Sequence, residues 1–300
     1  MASRVTAGVA LDGLNPRLEK NSDTPGLDAQ VLLAHVMERP RSWLLAHPET
    51  PLTGEQFATL ETLVQRLERG EPLPYVLGRW EFFGLEFEVT PEVLIPRPET
   101  ELLVERAIAW LQARPGERHA ADIGTGCGCI AISLAVNVAD VHVTAIDISP
   151  QALAVARCNA EKLHVADRIT FLEADLIPDP LSANPFSLIV ANLPYIPTRT
   201  LHKLPIYGRE PTVALDGGAD GLFLICKLLE QAPKRLAPGG LLLLEIEASA
   251  GPAMLSMAQE AFPEAEIHLH QDLGGNDRLL EVTVTGQSGL LANLRDFPAR

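Results

Sequence analysis

Cysteine, long apolar runs and internal repeats are scarce or missing in this sequence. The four cysteines, Cys127, Cys129, Cys158 and Cys226, show no C-x-x-C spacing, so neither a zinc ribbon nor a dithiol redox motif is indicated. No apolar run approaches the ~18–20 residues that a membrane-spanning helix needs, and residues 1–16 lack the apolar segment of a secretory signal. We therefore expect a cytoplasmic protein without membrane spans or a bound metal, whose thiols are reduced and buried.

Positive charge is also scarce. The 24 lysines and arginines are outnumbered by 39 aspartates and glutamates, which gives a net charge of −15. A surface of this charge repels phosphate backbones, so we expect no stable binding to nucleic acid. The charge favours a small-molecule or protein substrate instead.

The first quarter of the chain predicts helices. Residues 1–25 contain Gly, Asn, Pro and Ser and are expected to be loosely packed. Helical periodicity follows, and Thr53 with Gln56 has the spacing of a capping box at the start of a second helix. Residues 1–77 are therefore predicted to form a small helical domain, and the aromatic-rich residues 78–98 a connecting β-hairpin.

From Ala120 onward, strand-like and helical segments alternate. Seven segments have the length and composition of strands, and the last two follow each other without a helix between them. A helix is expected over 221–237, ending at the Pro-Gly-Gly that follows. The pattern predicts an α/β fold with a doubly wound, mainly parallel sheet that includes an antiparallel pair. Ligands bind at the carboxyl ends of the strands in this architecture.

A glycine-rich loop, "ADIGTGCGCIAIS", joins the first strand to the first helix of this region. Gly124, Gly126 and Gly128 allow a tight turn and a close approach of the backbone to a ligand. The third glycine of a dinucleotide fingerprint would fall on Cys129, and no phosphate-binding P-loop is present. The spacing suits a nucleoside without a pyrophosphate, such as S-adenosylmethionine, although a purely structural turn is the alternative.

Two acidic residues follow the next two strands. Asp147 lies about 20 residues past the glycines, where a carboxylate accepts hydrogen bonds from ribose hydroxyls. Asp175 could accept from the exocyclic amine of an adenine. Each could instead cap the following helix. For Asp147 this alternative is weakened, because Ser149 and Pro150 already provide an N-cap and a first helical residue.

The stretch "IVANLPYIP" places an amide at the end of the fourth strand. Asn192 offers a side-chain oxygen, and the carbonyl of Leu193 would be a second acceptor, so that both hydrogens of an NH₂ group could be held. Pro194 fixes the turn, and Tyr195 can stack on a planar amide or nucleobase. A simple Asx-type turn with a core tyrosine is the structural alternative.

The motif "NLPY" matches the signature of adenosylmethionine-dependent methyltransferases that act on planar NH₂ groups. The chain resembles the PrmC/HemK family over about residues 27–285. The segments that carry the resemblance are "PLPYVLGRWEFFGLEFEVTPEVLIPRPETELLVE", "DIGTGCGCIAISLA", "NLPYIP", "REPTVALDGGADGL" and "GGNDRLLEV". The sequence departs from the family at Leu193, where many members have proline. Because the contact there is made by a backbone carbonyl, leucine should serve.

The resemblance implies a Rossmann-like class I methyltransferase domain over 99–285, with a seven-stranded sheet, and a tail at 286–300. It implies methyl transfer from S-adenosylmethionine to the side-chain amide (N5) of the glutamine in the Gly-Gly-Gln motif of class-1 peptide-chain release factors. The helical domain would dock the substrate, and Arg97 and Glu210 would lie near its pocket. Arg97 could equally pair with Glu99 or Glu101, and Glu210 could simply brace a loop. The implied cofactor site comprises Gly124, Thr125, Gly126, Cys127, Gly128, Asp147, Asp175, Leu176 and Asn192.

A carboxamide nitrogen is a poor nucleophile, and the motif contains no His or Lys that could act as a base. Catalysis is therefore expected to rest on alignment and electrostatics by Asn192, Leu193, Pro194 and Tyr195. The main alternative function is an adenine-N6 methyltransferase that acts on nucleic acid, against which the acidic charge argues. A non-catalytic cofactor-binding scaffold is a further alternative, against which the intact motifs argue.

Overall fold

The computed structural model describes residues 5–114, 118–179 and 185–285, so the predicted tail at 286–300 lies outside the described residues. The chain forms two compact units: one holds the chain up to Trp80 together with Glu88–Pro91, and the other holds Glu81–Phe87 and the chain from Glu92 onward. None of the helices described is long and apolar enough to cross a membrane. Within the same residues, no group of three or more His, Cys, Asp or Glu side chains is arranged to hold a metal ion.

The first unit is built from helices. They are Ala7–Leu18 (α1), Pro25–Met37 (α2), Arg41–Ala46 (α3), Gly54–Glu68 (α4) and Leu73–Leu77 (α5). The predicted capping box at the start of α4 is confirmed, since the Thr53 side chain accepts from the Gln56 amide and the Gln56 side chain accepts from the Thr53 amide. These reciprocal bonds satisfy amide groups that lack partners within the helix.

The expectation of loose packing is wrong for residues 7–18 of the segment 1–25, and residues 1–4 lie outside the described part of the chain. Helix α1 occupies much of this segment, and Leu14 and Leu18 are among its buried residues. Thr6 caps its first turn by accepting from the Val9 amide. The turn-forming residues of the segment concealed an apolar face, and its burial against the other helices of the unit outweighs their low helix propensity.

A two-stranded hairpin, Arg79–Phe82 (β1) and Leu85–Glu88 (β2), forms within the predicted segment 78–98 but covers only its first half. The second unit then alternates helices and strands. Its elements are Glu101–Gln112 (α6), Arg118–Ile123 (β3), Cys129–Asn137 (α7), Val141–Asp147 (β4), Pro150–Lys162 (α8), Ile169–Glu173 (β5), Phe186–Ala191 (β6), Thr198–Leu201 (α9), Phe223–Gln231 (α10), Leu236–Glu245 (β7), Gly251–Ala261 (α11), Glu266–Gln271 (β8) and Asp277–Thr283 (β9).

The sheet has seven strands in the order β5-β4-β3-β6-β7-β9-β8. Strands β3 to β7 are parallel, whereas β9 runs antiparallel to both β7 and β8. The predicted doubly wound sheet is therefore confirmed, and its reversed strand lies one position inside the edge. The order changes direction between β3 and β6, which opens a crevice at the carboxyl ends of the parallel strands.

Both faces of the sheet are covered by helices. Along β6, Leu188 and Val190 join a core cluster with residues of α6 and α7, whereas Ile189 and Ala191 join a second cluster with residues of α10 and α11. This alternation follows from the two-residue period of a strand. A parallel sheet buried on both faces explains the nearly continuous apolar runs of the sequence.

Two local expectations are corrected. Helix α10 ends at Gln231, because Pro233 cannot donate the backbone hydrogen bond that would continue the helix. The Pro-Gly-Gly that was predicted to stop this helix lies inside β7. The cysteines are free, as expected, but they are not all buried: Cys158 is exposed on α8, and only Cys127 is fully buried. The remaining two, Cys129 and Cys226, are half-buried.

Candidate active site

A cavity of about 450 Å³ lies in the second unit at the carboxyl ends of β3, β4, β5 and β6. It falls at the change of strand direction, where ligands bind in this architecture. Its size is that of a pocket for a small molecule. The residues that line it include Val93, Gly124, Gly126, Asp147, Ile148, Asp175, Leu176, Asn192, Leu193, Pro194, Val213 and Phe223.

The glycine loop presents its backbone to this cavity. The amide of Gly124 donates to the carbonyl of Ile146 at 2.8 Å, which ties the loop to the end of β4. Gly126 has a φ of +56°, and a Cβ added there would meet no atom within 4 Å. The loop therefore leaves open space beside its backbone, which a ligand could occupy.

Only part of the predicted loop residues reach the cavity. Thr125 and Cys127 are buried, and neither lines it within the part of the chain that the structure describes. Gly128 serves packing, since a Cβ there would lie 2.9 Å from Ile132 and 3.1 Å from Ala156. These three residues therefore contribute to the packing of the loop and, among the residues described, not to the lining of the cavity.

Asp122, which the sequence analysis did not single out, holds the glycine loop in place through hydrogen bonds. Its Oδ2 accepts from the Thr125 hydroxyl at 2.7 Å and from the Ala131 amide at 3.1 Å. Its Oδ1 is buried and has no hydrogen-bond partner among the described residues. Complete burial raises the pKa of Asp122 to about 7, and the nearby charge of Asp147 adds to the effect.

Asp147 is bound to backbone on both sides. Its Oδ2 accepts from the Gly126 amide at 2.9 Å, and its Oδ1 accepts from the Ser149 amide at 2.9 Å. Ser149 itself caps α8 by accepting from the Ala152 amide, as predicted. Burial raises the pKa of Asp147, against the effect of these backbone bonds. The carboxylate both braces the loop and faces the cavity, where each oxygen retains a further lone pair.

Asp175 and Leu176 lie at the same rim, after β5. Asp175 lines the cavity and pairs with the ammonium group of Lys227 at 2.8 Å. Leu176 is buried and has a φ of +60°, a left-handed conformation that is uncommon for leucine. Strained backbone of this kind is frequent at ligand-binding sites, and here it bends the chain beside the cavity.

Asn192 lies directly after β6 and lines the cavity together with Leu193 and Pro194. Its Nδ2 donates to the Thr100 hydroxyl at 2.9 Å. This bond uses one of the two Nδ2 hydrogens, so the side-chain oxygen and the second N–H can still contact a ligand. Asn192 thus lines the same cavity as Gly124 and Gly126, and its contact with a substrate amide stays a prediction.

Tyr195 does not line the cavity within the described residues. It packs against the core cluster formed with α10 and α11, and its hydroxyl donates to Glu245 Oε1 at 3.4 Å. Burial raises the pKa of Tyr195 to about 12, and the adjacent negative charge of Glu245 contributes to the effect. Its predicted stacking on a substrate stays a prediction.

Arg97 and Glu210 are brought together, although the sequence separates them widely. Arg97 Nη2 donates to Glu210 Oε1 at 2.6 Å, and the Ile95 amide donates to Glu210 Oε2 at 3.0 Å. The expected alternative partner Glu101 instead accepts from the Phe83 amide. Neither Arg97 nor Glu210 lines the cavity in the described part of the chain, so their substrate contact stays a prediction.

A segment at 215–221 covers the turn that follows Asn192. The Ile196 amide donates to the Leu215 carbonyl, and the Gly217 amide donates to the Ile196 carbonyl. A Cβ on Gly221, whose φ is +84°, would lie 2.3 Å from the carbonyl oxygen of Tyr195. This close approach explains why the "LDGGADG" segment is rich in glycine.

Each of the two units contains a segment that matches a known family model. Residues 10–78 match the model described as the PrmC N-terminal domain, and residues 120–204 match the model of a methyltransferase domain. The catalytic domain of hMettl16 in complex with MAT2A 3'UTR hairpin 6 is 15% identical, with a TM-score of 0.54 over 79% of this chain and 84% of that chain. At this identity the likeness concerns the fold alone.

Curated relatives extend over nearly the whole chain. The release factor glutamine methyltransferase of Bordetella pertussis is 41% identical over 259 residues, which are 85% of this chain and 93% of the relative. That of Moorella thermoacetica is 43% identical over 258 residues, which are 85% of this chain and 90% of the relative. The methyltransferase family implies a methyl donor of the S-adenosylmethionine type. The chain therefore belongs to the family of release factor glutamine methyltransferases, enzymes with a class I methyltransferase domain.

Proposed function

We propose that this protein transfers the methyl group of S-adenosylmethionine to the side-chain amide nitrogen of the glutamine in the Gly-Gly-Gln motif of class-1 release factors. The observation that carries the proposal is the position of Asn192, whose amide nitrogen is held by Thr100 while the residue lines a cavity bounded by glycines. Family membership supports the choice of substrate.

The cavity suits a nucleoside that carries a sulfonium charge. Gly124 and Gly126 give its wall a bare backbone, and the open space beside Gly126 leaves room for a ligand. Asp147 would accept from ribose hydroxyls, and Asp175 from the adenine amine. The two carboxylates also favour a positively charged ligand. When bound, the cofactor supplies an electrophilic methyl group.

The residues of the turn would hold the substrate amide. Asn192 Oδ1 and the Leu193 carbonyl would accept the two hydrogens of the NH₂ group, which fixes the direction of its nitrogen lone pair. The same two oxygens would stabilise positive charge as it develops on that nitrogen. Pro194 restricts the turn that carries both acceptors. No general base is required before the transfer, because the neutral amide is the nucleophile. The nitrogen would lose its surplus proton to solvent once the methyl group has passed from sulfur to nitrogen, and the demethylated cofactor would then leave.

The proposal is tested by mass spectrometry of a class-1 release factor after incubation with this protein and S-adenosylmethionine. We expect a gain of one methyl group on the Gly-Gly-Gln glutamine. A release factor in which this glutamine is replaced by alanine serves as the control substrate. Methylation elsewhere on the factor, or of adenine in added nucleic acid but not of the glutamine, would exclude the proposed substrate.

A further inference from the structure

A chain of hydrogen bonds runs from Asn192 through Thr100 to Glu245, and Glu245 has no part in the proposed methyl transfer. Glu245 lies at the end of β7, Thr100 precedes α6, and Asn192 follows β6. The Thr100 hydroxyl donates to Glu245 Oε2 at 2.6 Å and accepts from Asn192 Nδ2 at 2.9 Å. Thr100 and Glu245 are each 2% exposed, so the chain is shielded from water.

The chemistry of these groups gives the chain a direction. An ionised carboxylate can only accept hydrogen bonds, so the Thr100 hydroxyl must donate its single hydrogen to Glu245. The Thr100 oxygen can then only accept from Asn192. The amide must therefore turn its nitrogen toward Thr100, which directs its oxygen away from Thr100.

We propose that Thr100 and Glu245 are positioning residues, which set the orientation of the Asn192 amide so that Oδ1 faces the substrate nitrogen; this rests on the proposed function. Neither residue lines the cavity within the part of the chain that the structure describes. Glu245 also accepts from the Tyr195 hydroxyl at 3.4 Å, so the same carboxylate binds Tyr195 directly and Asn192 through Thr100.

The negative charge of Glu245 is essential to this direction. A protonated Glu245 could donate a hydrogen bond to the Thr100 oxygen. The Thr100 hydroxyl could then donate its own hydrogen to Asn192 Oδ1, which would allow the Asn192 amide to turn its oxygen, instead of its nitrogen, toward Thr100. The other charged or titratable groups that influence Glu245 are Tyr195, Arg278 and Glu99. Burial raises the pKa of Glu245 to about 6, so the reversal falls within a pH range in which activity can be measured.

The first test compares Thr100→Val with Thr100→Ser on a release factor substrate. Valine has the shape of threonine but no hydroxyl, and we expect kcat to fall roughly 10- to 100-fold, the loss that corresponds to one well-oriented hydrogen bond. The dissociation constant of S-adenosylmethionine should stay within about twofold. Thr100→Ser restores the hydroxyl and should recover most of the lost rate.

Ser187→Ala is the matched control, because it removes a half-buried hydroxyl that donates to the His119 carbonyl far from the carboxyl ends of the strands. Its kcat should equal that of the wild type. If the wild type methylates the glutamine and Thr100→Val does so equally fast, the positioning role is wrong. If the wild type does not methylate the glutamine, the proposed function itself fails.

The second test is independent of how well Thr100→Val folds. For the wild type at saturating substrates, kcat should decline as the pH falls below about 6, because Glu245 becomes protonated. Glu245→Gln keeps the shape of the side chain but not its charge, so it should have a lower kcat and no such decline. The same acidic decline in the variant and the wild type would refute the role of Glu245.

Discussion

The buried carboxyl of Asp122 makes the stability of this protein depend on pH in a predictable way. Asp122 is fully buried below the glycine loop, and one of its oxygens has no partner among the described residues. Replacing it by asparagine keeps an oxygen that can accept from Thr125 and Ala131 but removes the group that ionises. The variant therefore isolates the cost of charging this site.

The sign follows from the two pKa values. In the unfolded chain Asp122 ionises near its ordinary value of 3.8, whereas in the folded protein it stays protonated up to about 7. The contribution of Asp122 to the free energy of unfolding is therefore fully present below pH 3.8. It is lost as the pH rises through 7, by ~4 kcal/mol in total. Between pH 5.5 and pH 8 the expected loss is ~2 kcal/mol.

Asp122→Asn lacks this loss, so its free energy of unfolding relative to the wild type should increase by ~2 kcal/mol between pH 5.5 and pH 8. Urea unfolding of both proteins at each pH measures the change. A constant penalty from the new amide cancels in the comparison. Asp12→Asn, on an exposed site, corrects for the lost negative charge. A difference between Asp122→Asn and wild type that is the same at both pH values would refute the reasoning.

Two further variants test the cavity and the turn. Asp147→Ala should weaken binding of S-adenosylmethionine roughly 10- to 100-fold, since a charged hydrogen-bonding group is lost, and an unchanged dissociation constant in calorimetry would disprove its ribose contact. Gly221→Ala should lower kcat much more than it weakens cofactor binding, because the new Cβ would lie 2.3 Å from the Tyr195 carbonyl oxygen and must displace the turn. The control for Gly221→Ala is Gly13→Ala, where a Cβ meets no atom within 4 Å, and it should retain the wild-type rate. Equal rates for the wild type, Gly13→Ala and Gly221→Ala would argue against the close approach at Gly221.

Features that depend on local sequence could be predicted. The capping box at Thr53, the N-cap at Ser149 and the alternation of strands and helices follow from side-chain spacing alone, and the structure confirms them. The position of Asn192 beside the glycine loop followed from one topological rule, that the carboxyl ends of parallel strands share an edge.

Features that depend on long-range packing could not. Thr100 and Glu245 are 145 residues apart, and the Arg97–Glu210 pair spans 113 residues, so no local pattern connects them. A weak signal was present for Glu245, since an acidic residue ends the apolar run "LLLLEIE" just as Asp147 ends its own strand. Helix α1 was missed because its glycines and proline outweighed its apolar spacing.

The central claim is that Asn192 and the Leu193 carbonyl hold the amide that receives the methyl group. The most direct measurement is the single-turnover rate of glutamine methylation by Asn192→Ala, with binding of S-adenosylmethionine measured on the same preparation. We expect the rate to fall by about 100-fold or more, the loss typical of a preorganised group that stabilises developing charge, with cofactor affinity nearly intact. A rate close to that of the wild type would contradict the account.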